Sequence, residues 1–153
     1  MRNLPPSVAL LALIPTLTAC TPGPEPETDG AGFGESIVVA HPVGAHPEEY
    51  RRDLDAEALY TIDDVVLLGS ERVAFVLNVE VPETGRTFGL SDLSVDCAAG
   101  GNRNPALTDR VLGEATTSSY AIPYTCAIPE DTGELIIAVE HYDYRLEFTG
   151  APG

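Results

Sequence analysis

Lysine is absent from the chain, and the only basic side chains are eight arginines scattered from Arg2 to Arg145, set against 24 aspartates and glutamates. Phosphate neutralisation needs a basic face, so a formal charge of −16 excludes general nucleic-acid binding. Without lysine there is no Ser-x-x-Lys nucleophile, and no Gly-x-Ser-x-Gly turn occurs either. No Cys-x-x-Cys or His-x-His pair seeds a metal site. No apolar run reaches the ~20 residues that a bilayer-spanning helix requires. What remains, at 153 residues and 44% hydrophobic content, suits one domain of ordinary size and not a multidomain enzyme.

The start of the chain carries an address. Met1, Arg2 and Asn3 precede an apolar run over residues 4–17 that is broken by Pro5, Pro6 and Pro15. By length and pattern it reads as a secretion signal. It closes on Leu17-Thr18-Ala19-Cys20, which resembles the bacterial lipobox, in which a branched apolar residue, a small one and Gly or Ala precede an obligatory cysteine. The resemblance implies that the Cys20 thiol receives a diacylglyceryl group, that the 1–19 signal peptide is cut away, and that the new amine can take a third chain. Two or three acyl chains, at about 0.8 kcal/mol per buried methylene, hold a domain at a membrane essentially permanently. The alternatives are a plain secreted protein cleaved after an A-x-A-like site, or a Cys20 that pairs with another cysteine.

Residues 21–34 (TPGPEPETDGAGFG) are dense in Pro, Gly and acid and have no apolar periodicity, so residues 20–34 are expected to be a lipidated, disordered tether. The folded domain is expected over 35–153. Losing Arg2 with the signal leaves seven arginines against 24 acids, a net −17 that repels anionic headgroups and favours a domain standing off the membrane.

With Cys20 assigned to lipid, Cys97 and Cys126 form an even pair in an exported chain, and a disulfide between them is expected. Closing a loop of about 30 residues contributes roughly 3.5 kcal/mol by chain-entropy arithmetic.

Periodicity over 35–153 is mostly two. Val73, Phe75, Leu77, Val79 and Val81 are apolar while Asn78 and Glu80 are polar, the pattern of a strand with one buried face. Residues 59–68 precede it across the turn Gly69-Ser70-Glu71-Arg72, predicting a hairpin, and Pro82-Glu83-Thr84-Gly85 is a second turn. Leu90, Leu93, Val95 and Cys97 set another inward face, as do Tyr120, Ile122, Tyr124 and Cys126, so both cysteines fall on core faces. A turn at 129–133 precedes strands over 134–139 and 144–148, with a turn or bulge around His141. The pattern predicts an all-β antiparallel sandwich. One helix is expected over 47–58 from Tyr50, Leu54 and Ala58 at four-residue spacing. Residues 98–117 read as a binding loop or as a loop with a short edge strand at 110–112. Asp63-Asp64, inside an otherwise apolar strand, predicts a bulge.

The order of these segments resembles the telokin-like or MPT63-like immunoglobulin-like domains of bacterial lipoproteins. Carrying the resemblance are Leu77-Asn78-Val79-Glu80-Val81, then Phe88-Gly89-Leu90-Ser91-Asp92, and the late Ile128-Pro129-Glu130. It departs where the family places a Gly soon after the Asp, because Ser94-Val95-Asp96-Cys97 continues the strand. The resemblance implies an immunoglobulin-like β-sandwich outside the membrane, with no agreed catalytic site.

Candidate chemistry is sparse. His41, His46 and His141 are the only imidazoles and together could hold zinc or copper, although prolines after His41 and His46 favour a rigid surface segment. Asp53-x-Asp55-x-Glu57 has calcium-loop spacing without the loop's glycine and distal glutamate, which favours a solvated charged face. Tyr120, Tyr124, Tyr142 and Tyr144 could line a ligand groove, though tyrosines at alternate strand positions are more often half-buried core. No catalytic residue, metal site or cofactor is assigned. The expected role is a lipid-anchored extracytoplasmic module, not an enzyme, that binds or supports another envelope protein. The alternative is a metal- or small-ligand-binding lipoprotein using His41, His46, His141 or the acid clusters.

Overall fold

The computed structural model describes residues 28–41, 56–81 and 88–153. Among them are nine strands and no helix: β1 (Thr28–Gly32), β2 (Ser36–Ala40), β3 (Glu57–Leu67), β4 (Arg72–Glu80), β5 (Ser94–Ala99), β6 (Asn102–Pro105), β7 (Ser119–Ala127), β8 (Leu135–His141) and β9 (Tyr144–Gly150). They form a five-stranded sheet, β1-β9-β8-β5-β6, and a four-stranded sheet, β2-β3-β4-β7. The inner faces meet in one apolar core.

Period-two alternation builds that core. Ala58, Tyr60 and Ile62 on β3, Val73, Phe75, Leu77 and Val79 on β4, and Ile122, Tyr124 and Cys126 on β7 all point inward from the four-stranded sheet. From the other sheet come Val95 and Cys97 on β5, Leu135, Ile137 and Val139 on β8, and Leu146 and Phe148 on β9. Each fully buried Val, Leu, Ile or Phe among them contributes about 1.5–3 kcal/mol. Phe75 and Tyr124, paired across β4 and β7, stack with ring centroids 5.7 Å apart. Cys97 and Cys126 join the two sheets in a disulfide, with Cα atoms 6.3 Å apart.

The predicted hairpin is β3–β4, and its bulge falls on the two aspartates. Asp63 pairs with Val76 and Val66 with Ala74, so Asp64 and Val65 together face Phe75 alone. The extra residue turns Asp64 out to solvent in a left-handed conformation (φ 52°), while Asp63 accepts a hydrogen bond from Asn78 Nδ2 at 2.8 Å. A straight strand would have aimed Asp64 inward, where an unpaired carboxylate is prohibitive.

Three expectations are corrected. Residues 28–32, assigned to the tether, instead form β1, which runs parallel to β9 in register from Thr28↔Arg145 to Gly32↔Thr149. Backbone bonding, available to any sequence, makes that strand. Phe33 follows it and lies against Gly150, where a Cβ would meet its ring at 2.5 Å. Of the expected 47–58 helix, residues 47–55 lie outside the described residues; its last two residues, Glu57 and Ala58, instead open β3, where Ala58, Tyr60 and Ile62 alternate inward. Residues 98–117, read as a binding loop or a loop with an edge strand at 110–112, instead carry an edge strand at β6, reached from β5 through Gly100 and Gly101, both at positive φ. A two-residue hairpin turn of this kind demands glycine-like residues at both positions.

β7 is an edge of its sheet and is closed piecemeal. Leu107 exchanges two backbone hydrogen bonds with Thr125, Asn104 Nδ2 donates to Ala127 O, and Pro123 has no N–H to offer. These are the devices by which exposed edges avoid pairing with other chains.

Candidate functional site

Of the singled-out residues, Cys20, His46, Asp53 and Asp55 lie outside the described residues, as does the 82–85 turn. Glu57 is exposed at the start of β3. The remaining two histidines come together. His41, directly after β2, and His141, the last residue of β8, are each only 1% exposed. Between them stands Phe88, its ring centroid 5.0 Å from His41 and 5.2 Å from His141. Tyr142 stacks on His141 at 4.4 Å and sits 4.8 Å from His41.

The hydrogen bonds at His141 fix its tautomer. Nε2 lies 2.7 Å from Gly89 O, which can only accept, so Nε2 carries the proton. Nδ1 therefore accepts, and the Tyr60 hydroxyl donates to it at 2.7 Å. Asp92 Oδ1 lies 3.4 Å from Nε2 at a half-exposed position. Burial holds the imidazole's pKa below the ordinary histidine value, opposed by the Gly89 carbonyl and by Asp92. Burial likewise pushes the Tyr60 phenol up, with Tyr144, Tyr142 and Asp92 adding to the effect.

The same cluster grips the Gly89 peptide from both sides. Tyr142 Oη accepts from Gly89 N at 2.8 Å and donates to Gly89 O at 3.3 Å. Tyr144 Oη donates to Ala40 O at 2.9 Å and lies 3.3 Å from His41 Nδ1. This end of the sandwich thus ties β2, β3, β8 and β9 to residues 88–92 through imidazole and phenol groups. Both nitrogens of His141 are engaged, and among the described residues no group of three or more His, Cys, Asp and Glu is arranged to hold a metal.

The four tyrosines do not make one groove. Tyr124 is buried in the core, which pushes its phenol up to about 12. Tyr142 is 44% exposed, but its ring meets that of Tyr144 edge-on at 72°, which gives no flat platform. Tyr120 serves the local backbone: its oxygen accepts from the amides of Thr116 and Thr117 and lies 3.3 Å from the Thr116 hydroxyl. The Thr116 hydroxyl and amide, with help from Thr117, hold this phenol down at about 8.

The segment after β6 separates two open clefts. One, of about 590 Å³, lies on the outer face of β4 and β7, over Ala74, Val76 and Pro123, with Asp64 and Asp109 at its sides. The other, of about 380 Å³, lies between Tyr120 and residues 110–114. Between them the chain displays Leu107, 68% exposed, and Val111, wholly exposed.

The sequence groups His41 and His141 with His46 as a possible metal set and favours a surface segment for His41, which is instead buried; Tyr60, Phe88 and Asp92 were missed as neighbours. Tyr142 and Tyr144, one and three residues beyond His141, were the available signal, but only the fold shows which strand faces them. Comparison of the chain with protein-family models, with curated proteins and with solved structures found no match.

Proposed function

We propose that the protein is a lipoprotein anchored through lipid on Cys20 at the extracytoplasmic face of a cell membrane, where its domain is a non-catalytic binding or structural module for another envelope protein. The observation that carries this reading is the division of the cysteines. Cys97 and Cys126 are joined between the sheets, which suits an oxidising compartment and leaves Cys20, at the end of Leu17-Thr18-Ala19, for acylation.

An immunoglobulin-like assignment of the sandwich belongs to the same proposal. It is supported by Tyr120, at the start of β7, whose oxygen returns to the backbone four residues upstream, as in the tyrosine corner of such sandwiches. It departs from that corner in spacing, since Tyr120 stands six residues before Cys126 where the corner tyrosine stands two before its cysteine.

The test of the anchor is detergent phase partitioning with mass spectrometry of the mature N-terminal peptide, in wild type and Cys20→Ser. Diacylglyceryl on Cys20, and its loss with the substitution, is the expected result; a mature lipid-modified Cys20→Ser protein sinks the anchor. For the module, a photo-crosslinker at position 111 in intact cells should yield one reproducible protein adduct. Adducts with lipid alone would sink that half.

A further inference from the structure

Residues 88–92 are held at the end of the sandwich by the burial of Phe88 and Leu90 in the core and by hydrogen bonds of two kinds. The first are backbone bonds to the neighbouring segment: Leu90 N donates to Gly113 O at 2.8 Å and Ala115 N to Phe88 O at 2.7 Å. The second converge on Gly89 and come from the β8–β9 corner, namely His141 Nε2 and the Tyr142 hydroxyl. His141 reaches both this segment and, through Tyr60, β3.

We propose that His141 is an acid-released latch: a second ring proton, gained in mild acid, breaks the Tyr60–His141–Gly89 chain and frees residues 88–92 from the end of the sandwich.

The proton count shows why. In the neutral ring each nitrogen meets a complementary partner, a carbonyl at Nε2 and a hydroxyl proton at Nδ1. Protonating Nδ1 sets two donors face to face, so the Tyr60 hydroxyl must turn and find another acceptor inside a buried site. The titratable groups facing the ring are Tyr60 from β3, Asp92 from the segment before β5, and Tyr142 from the β8–β9 turn, which also carries Asp143; His41 and Tyr144 lie beyond Phe88 and Tyr142. The Asp92 carboxylate, 3.4 Å from Nε2, is half-exposed and so a weak counter-charge, and release to solvent stabilises the cation better than the closed site does. The depressed proton affinity of the buried ring agrees with this direction. Opening exposes an ordinary imidazole, so protons drive it from about pH 6.5 downward.

The test is amide hydrogen exchange on the full chain between pH 7.5 and 5, corrected for intrinsic rates, with ¹⁵N NMR of the His141 ring. The Leu90 and Ala115 amides should exchange through an opening separate from, and easier than, the one exposing β4. The constant for that opening should rise by up to about 30-fold over this range, the ratio set by a free imidazole of ordinary pKa. In the closed state Nδ1 should keep its lone pair down to pH 5. In His141→Gln, if it folds, the acid dependence should vanish. Three wild-type results would each overturn the latch: a pH-independent Leu90 opening, Leu90 and β4 exchanging together at every pH, or an imidazole titrating near 6.5 while the segment stays closed.

Discussion

At one end of the sandwich a covalent bond ties the sheets together; toward the other end a histidine does so by hydrogen bonds. Cys126 lies opposite Val73 at the beginning of β4, whereas Tyr60, the partner of His141, lies opposite Val79 near its finish. A disulfide acts chiefly by restricting the unfolded chain and is indifferent to mild acid. The His141 site acts in the folded state, through partners that a single proton rearranges. The same domain therefore has one end set by redox conditions and one set by pH.

Removing the bridge should have the largest effect. The Cys97→Ala, Cys126→Ala double variant should lose about 3–4 kcal/mol in urea unfolding, equally at pH 7.5 and pH 5. Acid acts on the other end. Because the folded-state pKa of His141 is depressed, the unfolded chain binds more protons below about pH 6.5, so the stability is fully present above that value and falls as pH drops through it. By pH 5 the loss reaches at most about 2 kcal/mol, and His141→Gln should remove the pH slope; an unchanged slope would assign the acid loss to other groups.

A smaller change is expected for Tyr142→Ala, which deletes the stack on His141 and the hydroxyl at Gly89. About 1–2 kcal/mol should be lost, read as a lower Tm, with the disulfide end unaffected by exchange. Smallest, and of opposite sign, is Asp64→Gly. Relieving the left-handed aspartate should add under about 1 kcal/mol at any pH in this range, and a loss would show that Asp64 is held there by more than backbone geometry.

What could be read in the sequence was what side-chain period decides. The alternation from Val73 to Val81 identified β4, and two adjacent aspartates in an apolar run identified the bulge, because an inward carboxylate must be avoided. Both cysteines could be placed on inward faces for the same reason. β1 escaped notice because Thr28–Gly32 carries no apolar signal, and its place is set by backbone bonds to β9. β6, with the sequence NRNP, is equally silent; its only signal was Gly100-Gly101, a hairpin turn read as loop. The His41–His141 cluster joins residues a hundred positions apart. No local pattern records that Tyr60 and Phe88 complete it.

The parallel register of β1 with β9 has a mechanical meaning if the residues before Thr28 lead to a membrane anchor. Tension that arrives through that lead in line with the strand loads the bonds between Thr28–Gly32 and their partners on β9 in shear, all at once. A strand pulled crosswise would open like a zip, one bond at a time. A surface-held domain whose first strand takes load lengthwise resists drag and tugging with its whole ladder, and for such a domain the rate of forced unfolding matters more than its equilibrium stability.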